Sequence, residues 1–256
     1  MSDTILETRG LTKEFKGFVA VNAVNLQVQR GHIHALIGPN GAGKTTCFNL
    51  LTKFLAPTAG TIFYNGDDIT GESSVRIARR GIVRSFQISA VFPHLTVLEN
   101  VRIGLQRNTG WSYRFWQRER TLDVLNDRAM ALLTQVGLEA FADTVAVELP
   151  YGRKRALEIA TTLGMEPELM LLDEPTQGMG HEDVERVTEL IKRVSAGRTV
   201  LMVEHNMNVV GTIADRITVL ARGAVLAEGP YAQVSRDPGV LEAYMGTADA
   251  ALQGAH

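Results

Sequence analysis

The 256-residue sequence predicts an α/β fold with a mainly parallel sheet, an antiparallel β lobe near the N-terminus and an inserted α-helical subdomain. Three observations lead to this prediction. Strand-like alternation marks the first part of the chain, helical patterns dominate from Thr96 to Gly164, and strand and helix patterns alternate after that. The last of these favours a parallel sheet that is covered by helices.

The antiparallel lobe is predicted from strand and turn patterns. Val24, Leu26 and Val28 alternate with polar residues, which is typical of a half-buried strand. Asn65 and Gly66 lie between apolar runs, and this dipeptide favours the type I′ turn of a hairpin. We therefore expect antiparallel pairing in this part of the chain.

The helical subdomain begins with the sequence "TVLE" at Thr96. A threonine followed three residues later by glutamate is a capping box, which marks a helix N-terminus. A second helical pattern starts at Thr121, and a third, "RALEIATTLG", ends at Gly164. Three helices are therefore expected before the next strand.

The remainder of the chain alternates between strand and helix patterns. The apolar runs "LMLLD", "TVLMVE" and "ITVLA" have the length of buried strands. Helical patterns separate them, in "HEDVERVTELIKRVSAG" and near "NMNVVGTIA". Strands in this arrangement are expected to be parallel neighbours in one sheet.

Composition limits the classes of function. The net charge of −2 argues against a dedicated polyanion binder, although local basic patches are compatible with it. Cys47 is the only cysteine, which excludes an internal disulfide and a cysteine-rich metal site and favours a reducing compartment. The sequence has neither a signal-like N-terminus nor an apolar run long enough to cross a bilayer. We expect a soluble chain that can dock on a membrane protein.

The segment "GPNGAGKTT", residues 38–46, is the strongest chemical signal. It fits the pattern G-x-x-x-x-G-K-[ST] and lies between a strand pattern and a helix pattern, as a phosphate-binding loop requires. Gly41 and Gly43 let backbone N–H groups cradle the α and β phosphates, and Lys44 reaches the β and γ phosphates. The Thr45 hydroxyl can bind Mg²⁺, and Thr46 can add a hydrogen bond near the α phosphate. This loop predicts a P-loop NTPase core, but by itself it fits a kinase, a GTPase or a motor.

A pair of acidic residues narrows the choice. Asp173 and Glu174 follow the apolar run "ELMLL", which places them at the carboxyl edge of the sheet, where open α/β sheets bind ligands. Asp173 is expected to hold Mg²⁺ through water, and Glu174 to accept a proton from the water that attacks the γ phosphate.

Five motifs in order make the chain resemble the ATP-binding subunit of an ABC transporter over essentially its whole length. They are the phosphate loop, Gln87 in "VRSFQ", the signature segment "LPYGR", the acidic pair Asp173-Glu174, and His205 in "LMVEHNM". The resemblance implies the ABC ATPase fold and ATP and Mg²⁺ as cofactors. It also implies catalytic roles for Glu174, His205, Gln87 and Lys44, and metal-binding roles for Thr45, Gln87 and Asp173.

The resemblance implies a nucleotide site and a second, partner-facing site. Nucleotide-binding residues are expected to be Phe15, Gly38, Asn40, Gly41, Ala42, Gly43, Lys44, Thr45 and Thr46. Phe15 would stack on adenine, but it can also be an ordinary core residue, and nearby Phe18 competes for the role. The signature residues Leu149, Pro150, Tyr151, Gly152 and Arg153 are expected to face the γ phosphate that a second subunit holds.

The sequence departs from the family pattern in the signature segment and in the loop that follows Glu174. Pro150 and Arg153 replace the serine and the glutamine of Leu-Ser-Gly-Gly-Gln, and Arg153 can either supply a charge or point to solvent. Gly180 replaces the acidic residue of the inter-subunit loop, which weakens the transfer of that loop's role to this chain.

The resemblance also implies an organisation and a set of partners. Residues 1–256 form one ABC ATP-binding domain, with a nucleotide-binding core in 1–90 and 165–256 and a helical subdomain in 91–164. The partners are a second ATPase subunit, identical or related, two polytopic membrane subunits, and a periplasmic or extracellular substrate-binding protein, at the cytoplasmic face of the inner membrane. No nucleic acid is expected.

Aromatic and arginine residues alternate in segment 106–120, which can contact a partner, pack locally or bind RNA.

Local features resemble the branched-chain amino acid import subfamily, including "GIVRSFQ", "LPYG" and the tail "EGPYAQVSRDPGVLEAYMG". Hydrophobic amino acids are therefore the first expectation for the substrate, followed by urea or short amides, and then by lipid or lipopolysaccharide. The competing class is a soluble ABC ATPase that acts on DNA or ribosomes. The single cassette and the lack of sustained heptads argue against it.

Overall fold

The computed structural model describes residues 3–85, 91–109 and 124–244. In chain order its strands are β1 (Thr4–Phe15), β2 (Phe18–Val24), β3 (Gln27–Gln29), β4 (Ile33–Ile37), β5 (Ala59–Tyr64), β6 (Asp67–Asp68), β7 (Ile82–Ser85), β8 (Leu169–Asp173), β9 (Thr199–Val203), β10 (Arg216–Ala221) and β11 (Ala224–Gly229). Its helices are α1 (Lys44–Leu51), α2 (Ser74–Arg79), α3 (Val97–Thr109), α4 (Asn126–Val136), α5 (Tyr151–Gly164), α6 (His181–Val194), α7 (Met207–Ile213) and α8 (Tyr231–Val234).

The N-terminal strands form an antiparallel sheet in the order β2-β1-β5-β6, with β3 paired to β1. Val24, Leu26 and Val28 are fully buried, as their alternation predicts. The hairpin between β5 and β6 turns at Asn65 and Gly66, whose φ angles of 52° and 85° are both positive, as a type I′ turn requires. The expectation of an antiparallel lobe is therefore confirmed.

The second sheet has the order β11-β10-β4-β9-β8-β7 and is parallel from β10 to β7. Every residue of β4, β8 and β9 is buried, which explains why β8 and β9 appear in the sequence as largely apolar runs. Strand β11 pairs antiparallel to β10 at the edge, and the sequence patterns did not predict it.

Alternate residues of the parallel sheet enter two hydrophobic cores. Ile33, Ala35 and Ile37 pack with helices α3 to α7 on one face, whereas Leu36 packs with α1 and the antiparallel lobe on the other. The sheet therefore lies between two layers, and the ends of its strands form the edge on which the loops meet.

Helices α3, α4 and α5 pack against one another and lie between β7 and β8 in the chain. The capping box at α3 is present: Thr96 N–H donates to Glu99 Oε2 at 2.7 Å, and Glu99 N–H donates to Thr96 Oγ1 at 3.2 Å. The helical pattern from Thr121 corresponds to α4, which begins at Asn126, and residues 110–123 lie outside the described part. Within the described residues, no helix has the length and apolar character that crossing a bilayer requires.

Candidate functional site at the edge of the parallel sheet

Three of the predicted motifs meet because β4, β9 and β8 are adjacent strands. Strand β4 leads into the phosphate loop, β8 into Asp173 and Glu174, and β9 into Glu204 and His205. Since parallel strands end at the same edge of a sheet, the loops that follow them are neighbours. Gln87 lies outside the described residues.

The phosphate loop reaches α1 through Gly43, the N-cap residue of that helix. Gly43 has a φ of 97°, and a Cβ atom there would lie 2.4 Å from the Ala20 carbonyl oxygen of β2, so no other residue type fits without a shift of the backbone. Among the described residues no side chain caps α1, and its first turn contains no acidic residue. The free N–H groups at its start are therefore available to an anion.

Lys44 folds back along the loop that it terminates. Its Nζ donates to the Gly38 carbonyl at 2.7 Å and to the Pro39 carbonyl at 3.0 Å. Burial lowers the pKa of Lys44, and the charge of Glu174 opposes this shift. The lysine of one predicted motif is thus within electrostatic reach of the carboxylate of another.

The other loop residues differ in exposure. Asn40, Gly41 and Thr45 are exposed and Thr46 is half-buried, whereas Ala42 is buried. The Thr45 hydroxyl therefore lies at the surface of the loop, where a metal ion beside a phosphate would be held.

Asp173, the last residue of β8, is buried and forms an ion pair with Arg84 of β7. Arg84 also donates to Asn49 Oδ1 at 2.7 Å, and its guanidinium lies 5.7 Å from the centre of the Phe48 ring. This arginine was not predicted from the sequence. Its signal was a basic residue that directly follows the apolar pair Ile82 and Val83 in β7.

Glu174 lies just beyond the end of β8 in a left-handed conformation. Its φ is 43°, and its N–H donates to the Val203 carbonyl at 2.9 Å. A residue with a Cβ atom costs roughly 1–2 kcal/mol in this region, so the surrounding structure holds Glu174 in a strained backbone state. Glu174 itself is half-buried.

Glu204 ends the run "TVLMVE" and is completely buried. It accepts hydrogen bonds from Thr176 in the loop after β8 and from the backbone of His205 and Asn206 in the loop after β9. His205 itself is exposed. Glu204 was not predicted from the sequence, although an acidic residue that ends an apolar strand is the same signal that identified Asp173.

The signature segment forms the start of helix α5. Pro150 is the N-cap residue, with φ −56° and ψ 156°, and no side chain in the described part of the molecule caps the helix. The Tyr151 hydroxyl donates to the Gln177 carbonyl at 3.0 Å. One turn further along α5, Arg155 donates to the Asp173 carbonyl at 3.2 Å and to Glu158 Oε2 at 2.5 Å. The helix is thus attached at two points to the end of β8 and the loop that follows it.

Gly152 and Arg153 lie on different flanks of this helix start. A Cβ atom at Gly152 would lie 2.8 Å from Asp183 Oδ1, in the first turn of α6. The Arg153 guanidinium stacks on the Phe141 ring at 4.0 Å from its centre while the residue stays exposed. Of the two alternatives for Arg153, a phosphate-directed charge or an outward side chain, this geometry favours the second within one subunit.

The chain matches two protein-family models. Residues 21–177 match the family model described as ABC transporter, and residues 224–250 match the model described as branched-chain amino acid ATP-binding cassette transporter. The chain belongs to the ABC transporter family. This confirms the predicted family, and the chain is an ATP-binding and ATP-hydrolysing ABC cassette.

Curated relatives of this ABC cassette match over almost its whole length. The high-affinity branched-chain amino acid transport ATP-binding protein BraF of Pseudomonas aeruginosa is 40% identical over 97% of this chain and 100% of its own length. The corresponding protein LivG of Escherichia coli K12 has the same identity and coverage.

Solved structures confirm the ABC ATPase fold. The ADP conformation of MJ1267, an ATP-binding cassette of an ABC transporter, superposes with a TM-score of 0.84 at 30% identity, over 96% of this chain and 100% of that chain. A dimeric post-hydrolysis state of the cassette MJ0796, bound to ADP and Pi, gives a TM-score of 0.73 at 27% identity, over 89% and 99% of the two chains.

Phe15 lies apart from the strand-end motifs of the cassette, at the tip of the β1–β2 hairpin. It is 41% exposed, its hairpin partner Phe18 is 67% exposed, and Lys13 Nζ lies 5.2 Å from the Phe15 ring centre. The alternative that Phe15 is an ordinary core residue is therefore wrong. The same hairpin brings the Ala20 carbonyl against Gly43, so the exposed rings lie on an element that contacts the phosphate loop.

Proposed function

We propose that this chain is the ATP-hydrolysing subunit of an ABC importer for branched-chain or other hydrophobic amino acids. The observation that carries the substrate class is the match of residues 224–250 to the branched-chain amino acid model, because this segment lies outside the general ABC match. The relatives BraF and LivG, whose names state that substrate class, support the same proposal.

In the proposed nucleotide site, the loop from Gly38 to Thr46 holds the phosphates. The free N–H groups at the start of α1 bind the α and β phosphates, and Lys44 exchanges its bonds to the Gly38 and Pro39 carbonyls for bonds to the β and γ phosphates. Asn40 and Ala42 shape the loop beside them. Phe15 stacks on the adenine, for which its exposed ring is available.

In the proposed reaction, the water that attacks the γ phosphate gives its proton to Glu174. The position of Glu174 is set by the Val203 hydrogen bond and by its left-handed backbone. His205 donates a hydrogen bond to the γ phosphate from the neighbouring strand end, and Lys44 offsets the charge on it. Gln87 is assigned to the same site on the basis of its place in the motif order.

The oxygen donors present fit Mg²⁺, which prefers oxygen ligands and keeps several waters. Thr45 presents its hydroxyl at the loop surface, and Asp173 places a carboxylate at the end of β8, which β9 separates from β4, with Gln87 as the third proposed donor. When bound, Mg²⁺ would neutralise charge on the β and γ phosphates. The described residues contain no group of three or more His, Cys, Asp or Glu side chains that could hold a metal without a nucleotide, which is consistent with a site that the phosphates complete.

The signature residues from Leu149 to Arg153 are proposed to act on a second subunit. The start of α5 has N–H groups without an intrahelical partner, and such a helix end favours an anion. Two chains, identical or related, would then pair head to tail with ATP between them. MJ0796, a cassette of similar structure, is described as a dimer.

The proposed organisation follows from these roles. Residues 1–256 act as one ABC ATP-binding domain, with the core in 1–90 and 165–256 and the helical subdomain in 91–164. The cassette binds two polytopic membrane subunits at the cytoplasmic face of the inner membrane, and a substrate-binding protein acts through them. Segment 106–120, whose side chains are outside the described residues from 107 onward, is proposed to contact those subunits.

Affinity purification from solubilised membranes tests the assembly. We expect two polytopic proteins to co-purify and no nucleic acid, and recovery of ribosomes or DNA instead would support the soluble alternative. The recovered complex is then placed in proteoliposomes with its binding protein. ATP hydrolysis should rise with leucine, isoleucine or valine, and stimulation by urea, by a short amide or only by lipid would overturn the substrate assignment.

A further inference from the structure

The carboxylate of Glu204 divides its hydrogen bonds between two loops. Oε1 accepts from Thr176 N–H at 3.1 Å and from Thr176 Oγ1 at 2.5 Å. Oε2 accepts from His205 N–H at 2.9 Å and from Asn206 N–H at 3.1 Å. One oxygen thus serves the loop after β8 and the other serves the loop after β9.

The burial of Glu204 lowers the stability of the fold, so its presence calls for a specific role. Glu204 is completely buried, and burying a carboxylate is unfavourable even when it is hydrogen-bonded. Within the described residues, the ion pair found for it is with His205, whose Nδ1 lies 3.9 Å from Oε2. An apolar residue would fill a buried position at lower cost, so packing alone does not account for Glu204.

The two loops that Glu204 joins are those that carry the proposed γ-phosphate residues. Thr176 follows Glu174 by two positions, and His205 follows Glu204 directly. We propose that Glu204 is a positioning residue that fixes the His205 loop relative to the Glu174 loop, so that the proposed base and the proposed γ-phosphate donor hold one geometry. This inference rests on the proposed function of Glu174 and His205.

Glu204→Gln tests whether the two loops need one carboxylate oxygen each. Glu204→Gln keeps the shape but has one acceptor oxygen, so it can bind one loop and must turn its NH₂ group toward the N–H donors of the other. Thr176→Val removes one bond from the Thr176 side and changes nothing at position 204. Thr218→Val is the matched control, because Thr218 is also buried and its hydroxyl bonds His34 away from both loops.

The measurements are ATP affinity of the isolated chain, and kcat and KM for ATP of the reconstituted transporter. Since misplaced catalytic groups cost roughly 10- to 100-fold, we expect Glu204→Gln to lower kcat by about that factor, with ATP affinity changed less than about two-fold. Thr176→Val should lower kcat less than Glu204→Gln does, and Thr176→Ser should recover most of that loss. The double variant Glu204→Gln/Thr176→Val should lower kcat by less than the product of the two single effects. Thr218→Val should lower the melting temperature but leave kcat unchanged below it.

Hydrogen exchange gives a second readout for variants of low activity. Thr176→Val should raise exchange in the loop after β9, residues 204–206, although Thr176 lies in the other loop, whereas Thr218→Val should not. The inference is overturned if kcat is unchanged in Glu204→Gln, or if kcat falls only with the folded fraction. Glu174→Gln separates the two hypotheses. If it stops turnover while Glu204→Gln does not, only the role of Glu204 fails; if Glu174→Gln leaves turnover intact, the proposed site itself fails.

Discussion

The phosphate loop and the signature segment are both helix starts, but they differ in what surrounds them. At the phosphate loop, Gly43 packs against Ala20 and Lys44 is bonded to carbonyls of its own loop. At the signature segment, Tyr151 and Arg153 are exposed, and the bonds of Tyr151 and Arg155 run back to the end of β8 and the loop after it. In the proposed roles, the first site binds an anion within one chain, whereas the second binds an anion that a partner subunit holds. Binding and hydrolysis should therefore respond to different substitutions.

Glu174→Gln should have the largest effect, because it removes the proposed base while it preserves the shape of the site. General base catalysis typically contributes 10²- to 10⁴-fold, so turnover by the reconstituted transporter should fall by about 1,000-fold. ATP binding by the isolated chain should persist, and size-exclusion chromatography with ATP should show the dimer. Turnover close to that of the unchanged protein would remove Glu174 from the reaction. A persistent monomer would mean that a related ATPase is the required partner.

Gly152→Asp should have the second largest effect, and it tests the proposed role of the signature segment toward a partner subunit. A carboxylate about 4 Å from one phosphate charge costs roughly 4 kcal/mol at an effective dielectric of about 20, so turnover should fall at least about 100-fold while monomer ATP affinity persists.

The same substitution also brings two carboxylates together within one subunit, since Asp183 lies 2.8 Å from the Cβ position. Gly152→Asp/Asp183→Asn separates the two causes. If the partner's phosphate is the cause, turnover stays low in the double variant. Recovery of turnover would assign the effect to repulsion from Asp183 and leave "LPYGR" as an ordinary helix start.

These regions also differ in how far the sequence predicts them. The phosphate loop is local: its glycines, Lys44 and flanking elements are contiguous, so one pattern predicts both its structure and its chemistry. The parallel sheet was predictable for a similar reason, because each buried strand is one apolar run. The contacts of Glu204, Arg84 and Arg155 could not be predicted, because each of these residues bonds one at least 18 positions away and only the fold brings the partners together.

Lys44→Ala tests the phosphate loop, the helix start that is proposed to bind its anion within one chain. The substitution removes the cation that faces the β and γ phosphates, and a lost hydrogen bond to a charged group costs roughly 1.5–3 kcal/mol. ATP affinity of the isolated chain, measured by calorimetry, should therefore fall about 10- to 100-fold. Lys53→Ala is the matched control, because Lys53 Nζ also bonds a backbone carbonyl, that of Thr70 at 2.9 Å, outside the loop. Equal losses in both variants would argue against a specific role for Lys44.

The smallest expected effect concerns the strand beneath the phosphate loop. His34 of β4 is completely buried, with Nε2 2.8 Å from Thr218 Oγ1, and burial lowers its pKa from 6.5 to about 3. Between these values the unfolded chain binds a proton that the folded chain excludes. The stability that this group contributes is therefore fully present above pH 6.5 and falls as the pH drops.

The slope approaches about 1.4 kcal/mol per pH unit only well below pH 6.5, where the unfolded histidine is fully protonated, so urea unfolding should show a loss of about 1 kcal/mol between pH 6.5 and pH 5.5 from this group. His34→Gln should remove that component. Thr218→Val breaks the same hydrogen bond but keeps the buried imidazole, so it should lower stability at every pH and retain the pH dependence. If the unfolding free energies of His34→Gln and Thr218→Val depend on pH with the same slope, His34 is not the source of that dependence. The strand β4, which supports the phosphate loop, would then not determine how the fold responds to acid.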